Sequence, residues 1–258
     1  MIYEYNWLSQ AEKIFPSIIP KVRNLNFIEN HCSYEVEYFN YPTLSDIFVF
    51  GNINADSEKI IIKSLVKQLK IFQKINLSEK VLKVNFLSDK LKMRKKEILN
   101  IQLTHDINVN DVEGLINSNI DYFSKMEFDT VFMHGDYCFS NILFNRRTDQ
   151  IKLIDPRGYV DGNEGSCIYG PEVYDYFKLA HSYIGRYDSI IAGFNPDDFN
   201  IIELKERLQF FCLLTKKSEE LILNGMINLF LSMIPLHSDN LKRQTYFMKL
   251  SFKLNSLL

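Results

Sequence analysis

The spacing of apolar and polar positions divides the chain into a mixed N-terminal stretch, two amphipathic helices, a short β-rich block and a long helical tail. Residues 59–75 carry the clearest helical signal. Ile61, Ile62, Leu65, Val66, Leu69 and Phe72 recur at spacings of three and four and so share one face. Residues 111–126 repeat the pattern, with Asn110 placed as a cap. Nearer the start, residues 4–14 read as a helix that must stop before Pro16, because proline lacks the backbone donor and clashes with the preceding turn. SYEVEYF, residues 33–39, alternates and reads as a strand. In PTLSDIFVF, residues 42–50, Thr43 and Asp46 have the spacing of a capping box and predict a short helix.

The pattern changes at residue 130. TVFM (130–133), ILF (142–144) and IKLI (151–154) are short apolar strands. The polar NRRTDQ between the last two predicts a hairpin. Four further helices are predicted over 172–184, 197–215, 218–233 and 240–257. The longest apolar stretch, Leu221 to Leu236, is interrupted by Asn224, Gly225 and Asn228. It is too short and too polar to span a bilayer and reads as a buried core helix. No repeat or low-complexity linker divides the chain.

Composition narrows the function classes. The 258 residues are 46% hydrophobic and 14% aromatic, so a ring-rich globular core is expected. A formal net charge of -2 without a basic stripe argues against a nucleic-acid partner. The densest basic run, KLKMRKK at 90–96, is read as a solvated surface segment. Cys32, Cys138, Cys167 and Cys212 form no CxxC pair, which speaks against a disulfide framework or structural zinc. The N-terminus has no basic region followed by an apolar one, so no signal peptide is expected. Reduced thiols and the lack of a leader fit a cytoplasmic protein. HExxH and GxSxG are also absent, which disfavours zinc and serine hydrolysis.

One constellation carries chemistry. His134-Gly135-Asp136 follows a strand, Asn141 comes five residues after Asp136, and a hairpin then ends in Asp155. Phosphoryl transfer needs such a set: one carboxylate to orient or deprotonate the acceptor hydroxyl, and an amide oxygen with a second carboxylate to hold a hard divalent ion. The Asp-to-Asn spacing and the later Asp match the kinase pattern.

HGD, N-I-L-F and L-I-D-P-R-G together resemble the aminoglycoside/choline kinase-like phosphotransferases, especially bacterial members found with capsule or surface-polysaccharide genes. GPEVYDYFKL at 170–179 adds to the likeness. The resemblance implies an α+β, protein-kinase-like fold, with a mostly helical C-lobe, a small β-hairpin and a truncated N-lobe. Residues 1–40 would be the N-lobe remnant with its hinge strand, and 41–258 the helical lobe. Asp136 matches the catalytic base. Asn141 and Asp155 match the metal ligands. His134 braces the loop, and Asp175 anchors it from behind. ATP and Mg²⁺ are the implied cofactors; the hinge-like segment with Glu35 and Glu37, together with Ser140 and Asn141, would meet the nucleotide. For Arg157 two readings stand, a phosphate or sugar-acid clamp and an ion pair with a nearby carboxylate. Lys178 and His181 share a helix face, either as a polar edge or in contact with substrate, and Asp161 and Glu164 read as solvated loop acids, with attraction of a cationic acceptor as the other reading.

The likeness is incomplete at the front. The first glycine is Gly51, and no glycine-rich loop or Val-Ala-Ile-Lys segment precedes the hinge-like strand, while Glu4 stands where the N-lobe helix would carry its Glu. The implied function is ATP-dependent phosphorylation of a hydroxyl on a small molecule such as a sugar, amino alcohol or aminoglycoside. The alternative is a kinase-like pseudoenzyme or binding module. The expected partners are the small-molecule acceptor and either a separate N-lobe or a self-association partner.

Overall fold

The computed structural model describes residues 1–29, 31–75, 86–101, 107–157 and 169–258. Helices dominate, and the described strands form three antiparallel pairs. The chain divides into two compact units, one built from residues 1–80 and 129–175, the other from 81–128 and 176–258.

The first unit opens with α1 (Ile2–Ile14), which ends at Phe15, just before Pro16, and buries Trp7, Leu8 and Ala11. β1 (Val22–Ile28) and β2 (His31–Val36) pair with Val22 opposite Val36 and Ile28 opposite His31. The expected strand over 33–39 therefore stops at Val36. β1 is hidden in the sequence because VRNLNFI carries two asparagines. The pairing is irregular between Arg23 and Asn26, and Asn24 sits at φ 55°, a left-handed conformation that asparagine tolerates better than bulky residues do. α2 (Leu44–Phe50) carries the predicted capping box: Thr43 Oγ1 accepts from the Asp46 N–H, and Asp46 Oδ2 accepts from the Thr43 N–H, each at 3.1 Å. α3 (Ala55–Phe72) begins earlier than its apolar pattern, because Asn54 Oδ1 accepts from the Ser57 N–H at 2.8 Å and nucleates the first turn. All six apolar residues predicted for its inner face are buried.

β3 (Thr130–Phe132), the hairpin strands β4 (Ile142–Asn145) and β5 (Gln150–Leu153), and β6 (Tyr169–Pro171) complete this unit. The hairpin pairs Ile142 with Leu153 and Asn145 with Gln150. β6 pairs with β3, Val131 opposite Gly170; a Tyr-Gly-Pro stretch reads as a turn in sequence, so this strand was not anticipated. Backbone bonds tie the hairpin to its surroundings: Phe144 N–H donates to Pro42 O and Leu153 N–H to Ile18 O, both at 2.9 Å. Phe72 meets Phe132 edge-on at 5.3 Å and Phe15 at 4.8 Å, which makes the ring-rich core the composition implies.

The second unit contains α4 (Phe86–Asn100), α5 (Val109–Ser124), α6 (Tyr174–Tyr183, from Tyr176 onward), α7 (Tyr187–Ile191), α8 (Ile201–Thr215), α9 (Glu219–Met233) and α10 (Leu241–Asn255). α9 is its core. Every residue from Ile222 to Met233 is buried, among α4, α5, α8 and α10. Glu219–His237 is long and apolar enough to cross a membrane by composition alone, yet 72% of that window is buried inside the protein, as expected of a core helix. Within it Asn228 Nδ2 donates to Asn119 Oδ1 at 2.8 Å and to Leu87 O at 3.1 Å, while its buried Oδ1 has no partner among the described residues. Gly225 lets the Phe177 ring lie against the helix where any Cβ would collide with it.

Three expectations need correction here. α5 is capped by Asn108, not Asn110, because Asn108 Oδ1 accepts from the Asn110 N–H at 2.8 Å. The helix expected from 197 starts at Ile201, where Asn200 caps it; Pro196–Asp198 form a separate 3₁₀ turn. The basic run 90–96 lies in α4 and is not wholly solvated: Lys90 and Leu91 are buried while Lys92, Met93 and Lys96 face water. A helix places neighbours in a run on different faces, so charge density alone did not reveal the inward pair.

Candidate active site

The loop after β3 is held by its own backbone. Asp175, at the start of α6, accepts the His134 N–H at 2.7 Å and the Gly135 N–H at 2.9 Å. Gly135 adopts φ 79°, and a Cβ there would lie 2.9 Å from Arg157 Cβ, so the turn requires glycine on both conformational and steric grounds. His134 is fully buried. Its Nδ1 accepts from the Asp136 N–H at 3.3 Å, its carbonyl accepts from the Arg157 N–H at 3.0 Å, and its ring meets Trp7 edge-on at 5.2 Å. Trp7 is itself fixed by an indole N–H bond to Met133 O at 2.7 Å. His134 thus braces the loop from inside, while Asp136 remains partly open to solvent.

A 3₁₀ turn at Phe139–Asn141 brings Asn141 back beside Asp136. Asn141 Nδ2 donates to Asp136 Oδ2 at 2.8 Å and to Asp136 O at 3.0 Å. The amide nitrogen is thereby spent on Asp136, and Oδ1 accepts only a long bond from the Ser140 hydroxyl at 3.4 Å. The hairpin then delivers Asp155, locked to the same loop by the bond from Ile154 N–H to Asn141 O at 3.0 Å. Asp155 has φ 54°, a strained conformation of the kind that persists where surrounding structure enforces it.

Asp155 is exposed but partly desolvated by the protein around it, and this desolvation is the main cause that raises its pKa. The negative charges of Glu4 and Asp136 add to the rise, and the N-terminal ammonium opposes it. Glu4, on α1, lies near Tyr34, whose pKa is raised first by burial and then by that carboxylate. Tyr34 was not anticipated; the signal lay in the alternation of β2, which sends it to the face opposite Glu35.

Among the described residues no group of three or more His, Cys, Asp or Glu is arranged to hold a metal by itself. Mg²⁺ does not need one, since it is commonly bound by one or two carboxylates together with substrate phosphates. Asn141 Oδ1, which keeps a second lone pair beside its bond from Ser140, and the Asp155 carboxylate fit that donor set.

The other predicted residues are placed as follows. Glu35 lies opposite Arg23 and accepts from Asn24 Nδ2 at 2.8 Å, and Glu37 accepts from the Lys21 N–H at 3.1 Å, so both side chains serve the β1–β2 hairpin. Ser140 is exposed and lies 3.2 Å from Cys138 Sγ. Arg157 rests against Gly135 and reaches Tyr174 Oη at 3.5 Å. Lys178 belongs to the second unit, half-buried. His181 is buried and stacked on Tyr187 at 4.5 Å, which removes it from any exposed polar edge. Cys32, Cys138 and Cys212 are free thiols. Asp161, Glu164 and Cys167 lie outside the described residues.

No family model and no curated protein matches the chain by sequence. Solved structures do match by shape. A glucosamine kinase aligns over 100% of this chain and 69% of its own, with a TM-score of 0.65 and 11% identity. The aminoglycoside phosphotransferase APH(4)-Ia, in complex with ADP and hygromycin B, aligns over 97% of this chain and 82% of its own, with a TM-score of 0.64 and 10% identity. An ethanolamine kinase of Plasmodium vivax aligns over 98% and 71%, with a TM-score of 0.53 and 18% identity. The chain therefore has the α+β, protein-kinase-like fold of these phosphotransferases, with a mostly helical C-lobe and a small N-lobe.

Proposed function

We propose that this protein transfers the γ-phosphoryl group of ATP to a hydroxyl of a small molecule, with Asp136 as the catalytic base. The observation that carries the reading is the side-chain bond between Asn141 and Asp136 at 2.8 Å, with Asp155 close enough for the Asp136 charge to add to the rise in its proton affinity. Asp136 accepts the proton of the acceptor hydroxyl as its oxygen approaches the γ-phosphorus. Asn141 holds the Asp136 carboxylate in one orientation, and the Asp175 bonds keep the loop from shifting. Asn141 Oδ1 and Asp155 would hold Mg²⁺, which when bound neutralises negative charge on the phosphates. Positioning and electrostatics supply nearly all of the catalysis in such sites.

The finer parts of the proposal rest on the resemblance of the motifs. Residues 1–40 act as N-lobe remnant and hinge, where backbone near Glu35 and Glu37 meets the adenine, and 41–258 as the catalytic lobe. Ser140 flanks the phosphates, and Arg157 is an acceptor contact. Sugars, amino alcohols and aminoglycosides are the acceptors proposed, in a cytoplasmic step that serves surface-polysaccharide metabolism. A separate strand-rich N-lobe or a second copy completes the nucleotide site.

ATP consumption against a panel of those acceptors tests the reading. Acceptor-dependent turnover should fall about 10²–10⁴-fold in Asp136→Asn, because an amide cannot take the proton. Turnover indifferent to that change removes Asp136 from its role. The second reading is a nucleotide-binding pseudoenzyme. It predicts Mg²⁺-dependent nucleotide binding with no acceptor-dependent turnover, even after a strand-rich N-lobe is supplied.

A further inference from the structure

Away from the catalytic loop, the first unit contains a cavity of about 350 Å³ at the turn of the β4–β5 hairpin, bounded by the end of α2 and the first turn of α3. Its size is within the range of small-molecule sites. Its floor is apolar: Ile47, Ile61 and Phe144 line it, and each is buried. Its rim is polar. Arg146 and Asp149, from the hairpin turn, and Ser57, from α3, border the opening.

The two rim charges are uncommitted. Among the described residues neither the Arg146 nor the Asp149 side chain makes a hydrogen bond or ion pair. They are three residues apart in one turn, yet Asp149 adopts φ 54° and the two do not meet. The Arg146 guanidinium instead lies over Gly51, in space that any larger residue at that position would fill. Gly51 thus keeps room for an arginine that has no protein anion to bind.

We propose that this cavity is a binding site for a small apolar molecule carrying one anionic group, with the apolar body on Ile47, Ile61 and Phe144 and the anion on Arg146. The sign follows from the balance of charge at the rim. Arg146 is the one cation among the lining residues and Asp149 the one carboxylate; the N-terminal end of α3 adds no net positive charge, because Asp56 and Glu58 in its first turn offset the helix dipole, so the unpaired Arg146 guanidinium sets the sign. Arginine is also suited to carboxylate and phosphate geometry. The site is separate from the chemistry: Asn141 and Asp155 are at the other end of the hairpin, five residues from Arg146 and six from Asp149, about 17–20 Å along the strands at their usual rise. An occupant would clasp the hairpin that carries both proposed metal ligands, which gives the cavity a route to influence the catalytic loop. The binding site itself does not depend on the chain's being a kinase.

The test uses 4-fluorobenzoate as probe on the full chain, read by ¹⁹F line width and by amide shifts of the protein. Saturable binding is expected, with shifts at Ile47, Ser57 and Phe144. Arg146→Gln should weaken it about tenfold, the scale of one charge-assisted hydrogen bond. Asp149→Asn should leave it unchanged or tighter. Arg146 is exposed, and the amide spectrum of the variant checks that the fold is intact. Absence of saturable binding overturns the proposal, as does binding indifferent to Arg146→Gln. Preferential binding of the cation 4-fluorobenzylamine would overturn the assigned charge.

Discussion

Asn141 and Asp136 form one unit: a single amide group donates to both the carboxylate and the backbone carbonyl of Asp136, at 2.8 and 3.0 Å. The bond fixes the rotamer of the proposed base, and it also fixes which atom of Asn141 is left to face a cation. Orientation of the base and supply of a metal ligand are thus coupled through one side chain.

That coupling predicts different losses at the two proposed metal ligands. Asp155→Ala should abolish Mg²⁺-dependent nucleotide binding in calorimetry, because the carboxylate supplies the charge. Asn141→Ala should weaken binding only partly but lower turnover about 10²-fold, the scale of a misplaced catalytic group. Equal effects of both changes on binding would argue against this division of roles.

The pH dependence of Asp155 has a definite sign. Its pKa is raised in the folded state by desolvation, then by Glu4 and Asp136. A raised folded pKa means that the native state binds the proton more tightly than the unfolded chain does. The stability this provides is present below the unfolded pKa and is lost as pH rises through the folded value. In metal-free protein Asp155→Asn should therefore raise the melting temperature at neutral pH and make little difference in acid. Asparagine also tolerates the left-handed backbone at this position. A melting temperature lowered at neutral pH would contradict the electrostatic picture.

Asp175→Ala removes two hydrogen bonds to a charged acceptor and leaves two buried N–H groups unpaired. The expected loss is about 3 kcal/mol, measured by urea unfolding. Asp175→Asn retains an acceptor and should lose less. A loss under about 1 kcal/mol in the alanine variant would mean that other contacts hold the loop.

Gly135→Ala should destabilise the protein by about 1–2 kcal/mol from backbone conformation alone, and more if Arg157 cannot move. Because Arg157 and the loop share this contact, turnover should fall along with stability. Full activity in Gly135→Ala would show that the turn has another accessible shape.

The sequence by itself determined what depends on short-range spacing. The face of α3 from Ile61 to Phe72, the Thr43–Asp46 capping box, the β4–β5 hairpin and the Asp136–Asn141 interval are each set within one element or one turn. Hydrophobic periodicity and side-chain reach are enough to specify them. The likeness of HGD, N-I-L-F and L-I-D-P-R-G to known kinases added the roles.

Tertiary structure decided what depends on residues distant in the chain. Asp175 lies 40 and 41 residues from the amides it binds, and no local pattern pairs them. The β6 strand exists because β3 offers it an edge, against the turn-like look of Tyr-Gly-Pro. His181 looks polar in sequence yet is buried against Tyr187, and Lys90 is turned inward within a basic run. Glu4, Tyr34 and Asp155 share one electrostatic neighbourhood only because α1, β2 and the end of β5 converge. Arg146 is likewise an ordinary turn residue until folding sets it over Gly51 and the cavity beneath. Burial and charge proximity are set by packing, and packing is a long-range outcome that spacing along the chain does not encode locally.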